Sequence, residues 1–284
     1  MQHILFLTGC INPNGMPFTS ITDDTVRKEQ YINAINYYIH KTDFPIVFAE
    51  NSGTDISSLF LESISEKRLE VITFNGNKKK EKGKGYGEAE IIEYAINNSR
   101  FIASLYKDFS IIKITGRLIV NNIAELAFKK FILQESDSII VAYNSDFSLP
   151  DSRIIIAPLD FYRSFLLHKE DINDFSHCYF ETVLSNCIIH NLEHHYYPFF
   201  IEPQITGQSG TTGELYKPYN KDFQRRLKYL DYVYSQILYF DKNFSRIRFS
   251  YTKRIIYTVI QLLLKIANKT SSTISFTSEK TFKM

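Results

Sequence analysis

Apolar runs alternate with helical patterns over the first 120 residues. Four runs have the length and composition of buried strands, namely His3–Cys10, Pro45–Ala49, Leu69–Phe74 and Ile111–Thr115. Between the first two, apolar residues recur at helical spacing, and either Asp23 or Asp24 can cap that helix at its N-terminus. A second helix is predicted from about Glu88 to Asn98. Strands that alternate with helices predict a mostly parallel α/β sheet with right-handed crossovers, flanked by helices.

Beyond residue 120 the alternation is less regular. We expect strands at Ser138–Tyr143 and Arg153–Ala157, helices at Asp160–Leu167 and His177–Asn191, and a long small-residue loop at Glu202–Glu214. From Lys221 the chain is helical in character and basic, and a Ser/Thr-rich tail has the composition of a disordered segment. These shifts divide the chain into a folded domain over 1–220, a basic helical extension over 221–270 and a tail over 271–284.

The formal net charge of +2 hides an uneven distribution. Residues 1–220 contain 20 basic and 27 acidic side chains, whereas residues 221–284 contain 13 basic and 4 acidic ones. The average charge argues against an anionic macromolecular partner, and the uneven distribution reopens that question for the C-terminal end only. The three cysteines match no zinc or CxxC spacing, which indicates reduced thiols in a cytoplasmic protein. The apolar N-terminal run lacks a basic flank and a cleavage site, so it predicts a strand rather than a signal peptide.

Four loops are expected on one rim, because ligands bind open α/β sheets at the carboxyl ends of the strands. These loops are Thr8–Gly9, Glu50–Gly53, Gly83–Glu88 and Thr115–Arg117. The glycines of the third loop would let backbone N–H groups approach an anion at a helix N-terminus, although a flexible solvated loop fits the same composition. Lys113 and Arg117 suit a diphosphate, with a surface salt bridge as the alternative.

Further candidate groups follow residue 150. The loop Glu202–Glu214 is long for a passive connection, and it can offer N–H groups and hydroxyls to a phosphate or sugar from Gly207, Ser209, Gly210 and Thr211. Glu181 lies among apolar neighbours, which would raise its pKa and suit a general base; an exposed helical glutamate is the alternative. Asp151 is a second candidate carboxylate. His190 and His194 have the i, i+4 spacing of a zinc helix, but the HExxH order is absent, so a structural role is favoured.

Four motifs occur in order over roughly residues 1–220: ENSG at 50–53, KGYGEAEIIEYA at 84–95, IKITGR at 112–117 and PQITGQSGTTGELY at 203–216. Together they resemble bacterial glycosyltransferases encoded in capsule, O-antigen and lipooligosaccharide clusters. The resemblance implies a GT-A-like, Rossmann-like fold. It also implies transfer of a sugar from a nucleotide-activated donor to a growing glycan or lipid-linked glycan, in an inverting displacement where Glu181 or Asp151 deprotonates the acceptor hydroxyl.

The resemblance also implies a donor site. The nucleotide is expected against Thr8, Gly9, Arg27, Glu50, Asn51 and Ser52. The phosphates are expected near the stretch that contains Thr115 and Gly116, facing Lys84, Lys113 and Arg117. The sugar is expected near Gly87 and Glu88. GT-A enzymes usually hold the diphosphate through a metal bound by a DxD motif after the fourth strand, and this chain has no DxD. Because cations in that place would neutralise the diphosphate directly, we predict metal independence and leave Mg²⁺ or Mn²⁺ open.

A function of a different class stays open: a non-catalytic nucleotide-binding or scaffold protein docked on a membrane within a polysaccharide assembly. A dehydrogenase is poorly supported because the GxGxxG fingerprint is missing. Basic residues flank an apolar helical face from Arg246 to Lys269. This pattern predicts a helix on the anionic inner face of the cytoplasmic membrane, or one packed on the domain or in a homodimer interface. Nucleic acid is disfavoured, since no binding module accompanies the patch.

Overall fold

The computed structural model describes residues 3–104, 109–128, 138–191, 193–217 and 223–244. The strands within these ranges are β1 (His3–Gly9), β2 (Ile46–Glu50), β3 (Leu69–Thr73), β4 (Ser110–Thr115), β5 (Ile119–Val120), β6 (Ile139–Ile140), β7 (Ile154–Pro158), β8 (Tyr196–Tyr197), β9 (Ile205–Gln208) and β10 (Leu215–Tyr216). The helices are α1 (Asp24–Lys41), α2 (Leu61–Ser65), α3 (Lys84–Asn98), α4 (Arg100–Ala103), α5 (Ile123–Phe128), α6 (Leu159–Leu166), α7 (Phe180–His190) and α8 (Phe223–Phe244).

Seven strands form one central sheet in the order β3-β2-β1-β4-β7-β6-β8. The pairs β1–β2, β2–β3, β1–β4 and β6–β8 are parallel, while β7 runs antiparallel to β4 and β6. Every residue of β1, β2 and β7 is buried, so both faces of the sheet are covered there, since successive side chains point to opposite faces. Helices α1 and α3 pack against β2, and α6 packs against β7. The expected mostly parallel α/β fold is confirmed.

The expected loop Glu202–Glu214 is partly a strand, and in that part the prediction was wrong. β9 lies within it and pairs antiparallel with β5 and β10, which makes a second sheet of three strands. The sequence gives little sign of this strand, because only its first residue, Ile205, is apolar and buried, so no alternation of apolar and polar residues is present. Gly207 has a φ of +127°, and a Cβ atom there would lie 2.8 Å from Leu118 Cδ2. This position therefore requires glycine for structural reasons.

The ends of two helices differ from the prediction, whereas β1–β4 agree with it to within one residue at each end. Helix α3 begins at Lys84, because the chain turns at Gly83, with a φ of +87°, and the next two glycines lie inside the helix. Helix α7 begins at Phe180, because His177 has a left-handed φ of +60° that a helix does not admit.

The chain divides into two compact units, Met1–Tyr219 and Asn220–Met284. Both sheets belong to the first unit, and α8 belongs to the second. The amphipathic segment from Arg246 to Lys269 and the tail over 271–284 lie outside the described residues. Among the helices that the structure describes, none combines the length and the apolar character needed to cross a bilayer.

The N-terminus of α1 provides a test of this local structure. Asp23 is the cap, since its Oδ1 accepts hydrogen bonds from the backbone N–H groups of Thr25 (2.9 Å) and Val26 (3.1 Å). We predict that Asp23→Ala lowers the free energy of unfolding by about 1 kcal/mol, measured by urea denaturation. Asp24→Ala is the control, because it removes the neighbouring carboxylate and leaves the cap. Equal losses in the two variants would contradict the assignment.

Candidate functional site

A cleft of about 360 Å³ opens at the carboxyl ends of β1, β2 and β4. Most residues proposed from the sequence line it: Thr8, Gly9, Arg27, Asn51, Lys84, Gly87, Glu88, Thr115, Arg117, Asp151, Glu181, Ser209, Gly210 and Thr211. Five proposed residues do not line it, namely Glu50, Ser52, Lys113, Gly116 and Gly207. The strand ends thus bring the loops together at one place, but some of the proposed side chains point elsewhere.

Other cleft residues were missed from the sequence, among them Cys10, Met16, Tyr31, Asn77, Ser152, Arg153, Gln208 and Tyr216. The Pro/Gly/Asn-rich composition of residues 12–17 marks a loop directly after β1, and this signal was enough to place Met16 at the rim. Arg153 and Tyr216 carry no local signal, because β7 and β10 reach the cleft through long-range antiparallel pairing.

Glu50 orders the loop that follows β2 instead of facing a ligand. Its fully buried carboxylate accepts hydrogen bonds from the backbone N–H groups of Ile11 (2.8 Å), Ser52 (2.9 Å) and Thr54 (2.9 Å), and from Ser52 Oγ. Burial raises the pKa of Glu50, and these donors oppose the rise. The expected contact of Glu50 and Ser52 with a nucleotide is therefore corrected: together they hold the loops after β1 and β2 in place.

Gly116 is required by the close approach of two neighbouring strands. Its N–H donates to Thr8 O at 2.9 Å, and a Cβ atom at this position would lie 2.6 Å from the same oxygen. At Gly9 a Cβ atom would lie 2.5 Å from Phe48 Cε2. Gly116 therefore supports the cleft from behind, which corrects its expected contact with the donor, whereas Gly9 lines the cleft.

Asn51 and Asn77 form an amide pair at one wall of the cleft. Asn51 Nδ2 donates to Asn77 Oδ1 at 2.9 Å, and Asn77 Nδ2 donates to Asn51 Oδ1 at 3.2 Å. Asn51 Nδ2 also lies 3.3 Å from Gly87 O, and a Cβ atom at Gly87 would lie 2.5 Å from Asn77 Oδ1. The pair therefore joins the end of β2 to the first turn of α3.

Lys113 is fully buried beneath the cleft. Its Nζ forms an ion pair with Glu88 Oε1, donates to Ser152 O at 2.7 Å and lies 5.5 Å from the centroid of the Phe180 ring. Thr8 Oγ1 donates to the same Glu88 oxygen at 3.1 Å. The expectation that Lys113 faces the phosphates of a ligand is corrected, because its ammonium is enclosed by these protein groups.

Glu181 lies in the same network without a cationic partner among the residues that the structure describes. Its Oε1 accepts a hydrogen bond from Ser152 Oγ at 2.5 Å. Burial raises the pKa of Glu181; the Ser152 hydrogen bond opposes this rise, and the nearby charge of Glu88 adds to it. A partly desolvated carboxylate with a raised pKa has the properties of a general base.

Asp151 is held more tightly than Glu181. Arg153 donates to its two oxygens from Nε (2.8 Å) and Nη2 (2.6 Å), and the Arg153 guanidinium lies 4.6 Å from the centroid of the Tyr216 ring. A carboxylate bound in this bidentate manner has both oxygens engaged by the guanidinium. Of the two carboxylates proposed from the sequence, Glu181 is therefore better suited to act as a base.

Arg117 and Lys84 are cleft cations with no carboxylate partner in the described part of the chain. Arg117 is 7% exposed, and its Nη1 donates to Gln30 Oε1 (3.0 Å) and Gln208 O (3.2 Å), while its buried Nε has no hydrogen-bond partner. Lys84 Nζ donates to Thr211 Oγ1. Burial lowers the pKa of Lys84, and the charges of nearby carboxylates oppose that change.

Arg27 is used mainly to shape the loop between β1 and α1. Its Nε donates to Cys10 O at 2.8 Å and its Nη1 donates to Ile21 O at 3.2 Å. The same loop is joined to the turn after β9, since the backbone N–H of Ser20 donates to Gly210 O at 2.9 Å. Arg27 thus lines the cleft and also fixes the loop that forms its outer wall.

The glycine-rich segment at the start of α3 wraps around a carboxylate of the protein itself. The N–H of Gly85 donates to Asp174 Oδ2 at 3.1 Å. Cβ atoms at Gly83 and Gly85 would lie 2.5 Å and 2.8 Å from the oxygens of Asp174. The helix N-terminus that was expected to receive a ligand anion is therefore occupied by Asp174, and the Lys84 side chain is the group that reaches the cleft.

The groups at the end of β4 do not fit a divalent metal ion. Arg117 follows β4, Glu88 is paired with Lys113, and Asp151 is paired with Arg153. Within the described ranges, no cluster of three or more His, Cys, Asp and Glu side chains could hold a metal ion. The predicted i, i+4 histidine pair is not formed on one helix, because α7 ends at His190.

No protein-family model matches the chain, and no curated protein matches it. Among solved structures, the glycosyltransferase GlyE of Streptococcus pneumoniae TIGR4 is 11% identical over 69% of this chain and 44% of its own length, with a TM-score of 0.42. A cytidylyltransferase from Leptospira borgpetersenii is 10% identical over 95% of this chain and 96% of its own, with a TM-score of 0.38. The inositol-1-phosphate CTP transferase of T. maritima is 13% identical over 70% of this chain and 85% of its own, with a TM-score of 0.35.

These three proteins are transferases by name. The chain spans less than half of the length of the GlyE protein. Likenesses this distant carry no information about the substrate of the present chain, which has to be inferred from the groups that line its cleft.

The raised pKa of Glu181 predicts a pH-dependent stability. The pKa of Glu181 is higher in the folded than in the unfolded protein. Protonated Glu181 therefore favours the folded state at low pH, and this contribution to stability is lost as the pH rises through the pKa of Glu181 in the folded protein. Glu181→Gln keeps an acceptor for Ser152 and cannot ionise. We expect its Tm advantage over the wild type to grow between about pH 4 and about pH 8.

Glu62→Gln is the control for this measurement, because Glu62 is exposed on α2. Thermal unfolding of all three proteins across the pH range checks the prediction. A difference between wild type and Glu181→Gln that is the same at every pH would contradict it.

Proposed function

We propose that the chain is a glycosyltransferase that moves a sugar from a nucleotide-activated donor to a growing bacterial surface glycan. The observation that carries this proposal is the state of Arg117, a buried guanidinium at the cleft with no carboxylate partner among the described residues. A buried cation without a counter-ion is costly, so a bound anion would stabilise it strongly. A diphosphate supplies oxygens for the fork-shaped donor set of an arginine.

The surroundings of Arg117 support a phosphate-bearing ligand. Lys84 adds a second cation at the cleft, and a Cβ atom at Gly210 would lie 2.3 Å from Arg117 Nη2, so the loop after β9 closes directly on the guanidinium. Thr211 and Ser209 add hydroxyl groups from the same loop. Cations beside neutral donors are the arrangement that binds and neutralises a leaving diphosphate.

The cleft also contains the group needed for the acceptor. In the proposed reaction, Glu181 takes the proton of an acceptor hydroxyl as its oxygen attacks the anomeric carbon of the donor sugar. The bond from that carbon to the diphosphate breaks, and the nucleoside diphosphate leaves with its electron pair towards Arg117 and Lys84. One such displacement inverts the anomeric configuration. In this scheme the cations of the protein, rather than a metal ion, neutralise the charge of the leaving diphosphate.

The biological setting of the proposal comes from the four motifs that resemble capsule, O-antigen and lipooligosaccharide glycosyltransferases. It places the enzyme in the cytoplasm or on the inner face of the cytoplasmic membrane, where nucleotide sugars and lipid-linked acceptors meet. The two-unit division of the chain is compatible with a catalytic unit followed by a basic extension.

Donor binding is the first test. A thermal-shift screen of UDP-, GDP- and CMP-sugars, with EDTA or with Mn²⁺, should find a donor that stabilises the protein with EDTA present. Arg117→Met should weaken binding of that donor about 10- to 100-fold in calorimetry, because it removes charge-assisted hydrogen bonds. Arg163→Met is the control, since Arg163 is exposed and pairs with Asp160 on its own helix. Unchanged affinity in Arg117→Met would move the phosphate site elsewhere.

Transfer is the second test, and it separates an enzyme from a non-catalytic nucleotide-binding protein. Glu181→Gln should lower the rate of sugar transfer by about 10²- to 10⁴-fold and leave donor affinity nearly unchanged, because it removes only the proton acceptor. Glu62→Gln should transfer at the wild-type rate. If the wild type binds donors and transfers to no acceptor or water, the catalytic proposal fails and the binding protein is the better description.

A further inference from the structure

Two half-exposed phenylalanines, Phe18 and Phe175, contact each other on the surface of the first unit. Phe18 is 49% exposed and Phe175 is 53% exposed, and their ring centroids are 5.2 Å apart. They come from distant segments, the loop between β1 and α1 and the 3₁₀ turn Asp174–Ser176. Phe18 has a φ of +58°, a conformation that bulky residues rarely adopt. Folding does not bury these rings, and the backbone of one is held in an unfavourable conformation while it stays exposed.

Both rings are attached to parts of the cleft. The loop that carries Phe18 also contributes Pro13, Met16 and Thr19 to the cleft lining. The turn that carries Phe175 begins with Asp174, whose carboxylate holds the first turn of α3 beside Lys84. The aromatic pair is therefore carried by two segments that adjoin the lining of the cleft.

A lysine-rich stretch contacts both segments that carry the pair. The 3₁₀ turn Lys80–Lys82 packs against the turn Asp174–Ser176, and Lys80 Nζ donates to Asn14 O in the loop of Phe18. The basic side chains of this stretch are Lys78, Lys79, Lys80 and Lys82, and the acidic ones beside them are Glu81, Glu170 and Asp174. Glu170 forms ion pairs with both Lys79 and Lys82. This local excess of positive charge contrasts with residues 1–220 as a whole, where acidic side chains outnumber basic ones. We call this surface the basic aromatic rim.

We infer that the basic aromatic rim docks on an anionic lipid surface. Aromatic rings are stable at the level of lipid headgroups, and lysines beside them gain from the negative surface potential of anionic lipids. This docking would present the mouth of the cleft to the membrane, where a lipid-linked acceptor is held. The inference uses residues of the first unit alone, and vesicle binding by the rim does not require that sugar transfer occurs.

Sedimentation of the full-length protein with vesicles tests the inference. We expect binding to vesicles of phosphatidylglycerol and phosphatidylcholine that exceeds binding to pure phosphatidylcholine. The double variant Phe18→Ser/Phe175→Ser should lower the partition coefficient about tenfold or more, because it removes the apolar groups that enter the lipid. Lys78→Gln should lower it about fivefold on anionic vesicles only. Leu59→Ser/Leu61→Ser is the matched control, since both leucines are exposed and lie outside the rim.

The other outcomes contradict the inference in distinct ways. Equal binding by the wild type and the double phenylalanine variant would place the membrane contact elsewhere, for example in residues 246–269. Absence of wild-type binding would remove the contact altogether. If the double variant raised the KM for a soluble glycan acceptor and left vesicle binding unchanged, the rings would be a stacking surface for sugars. Donor-induced thermal shifts, recorded on the same samples, keep a failure of the proposed enzyme function separate from each of these results.

Discussion

The buried ammonium of Lys113 is the interaction on which the floor of the cleft depends. A charge removed from water is unstable unless it is paired and hydrogen-bonded, and loss of one partner of such a pair costs about 3–5 kcal/mol. The partners of Lys113 come from three distant segments: Glu88 on α3, the carbonyl of Ser152 before β7, and the ring of Phe180 on α7. The contacts of this one ammonium group therefore require that α3, β4, the segment before β7 and the start of α7 come together around it.

This arrangement gives the two glutamates of the cleft different properties. Glu88 is neutralised directly by Lys113 and accepts a further hydrogen bond from Thr8. Glu181 is linked to Lys113 through Ser152. The hydroxyl of Ser152 donates a hydrogen bond to Glu181, and the carbonyl of Ser152 accepts one from Lys113. Its own pKa rises because burial outweighs the hydrogen bond. The buried ammonium of Lys113 thus engages Glu88 in an ion pair, whereas Glu181 stays able to take up a proton.

The sequence was sufficient for the central strands and for the position of the cleft. Runs such as residues 111–115 are continuously apolar or deeply buried, and the strand–helix alternation makes their carboxyl ends converge, so the rim follows from topology. The direction in which an individual side chain points does not follow from the topology. Lys113 and Arg117 belong to one motif, yet Lys113 is buried under the cleft whereas Arg117 lines it. The difference depends on the position of α3, because α3 carries Glu88, the ion-pair partner of Lys113. Tyr216 depends on antiparallel pairing with β9, for which no local pattern exists.

The partner of each charged side chain says more about the ligand than the net charge of residues 1–220 does. Asp151 is matched by Arg153, Asp174 by the first turn of α3, and Glu88 by Lys113. Among the described cleft residues this leaves Arg27, Arg117 and Lys84 without an ion pair to a carboxylate, although residues 1–220 are acidic as a whole. An anion that enters the cleft meets cations that are partly removed from water, and Coulomb attraction is stronger there than at the surface because water screens it less. Selectivity for a phosphate ligand can therefore arise in an acidic domain, since Glu88, Asp151 and Asp174 already have partners within the protein.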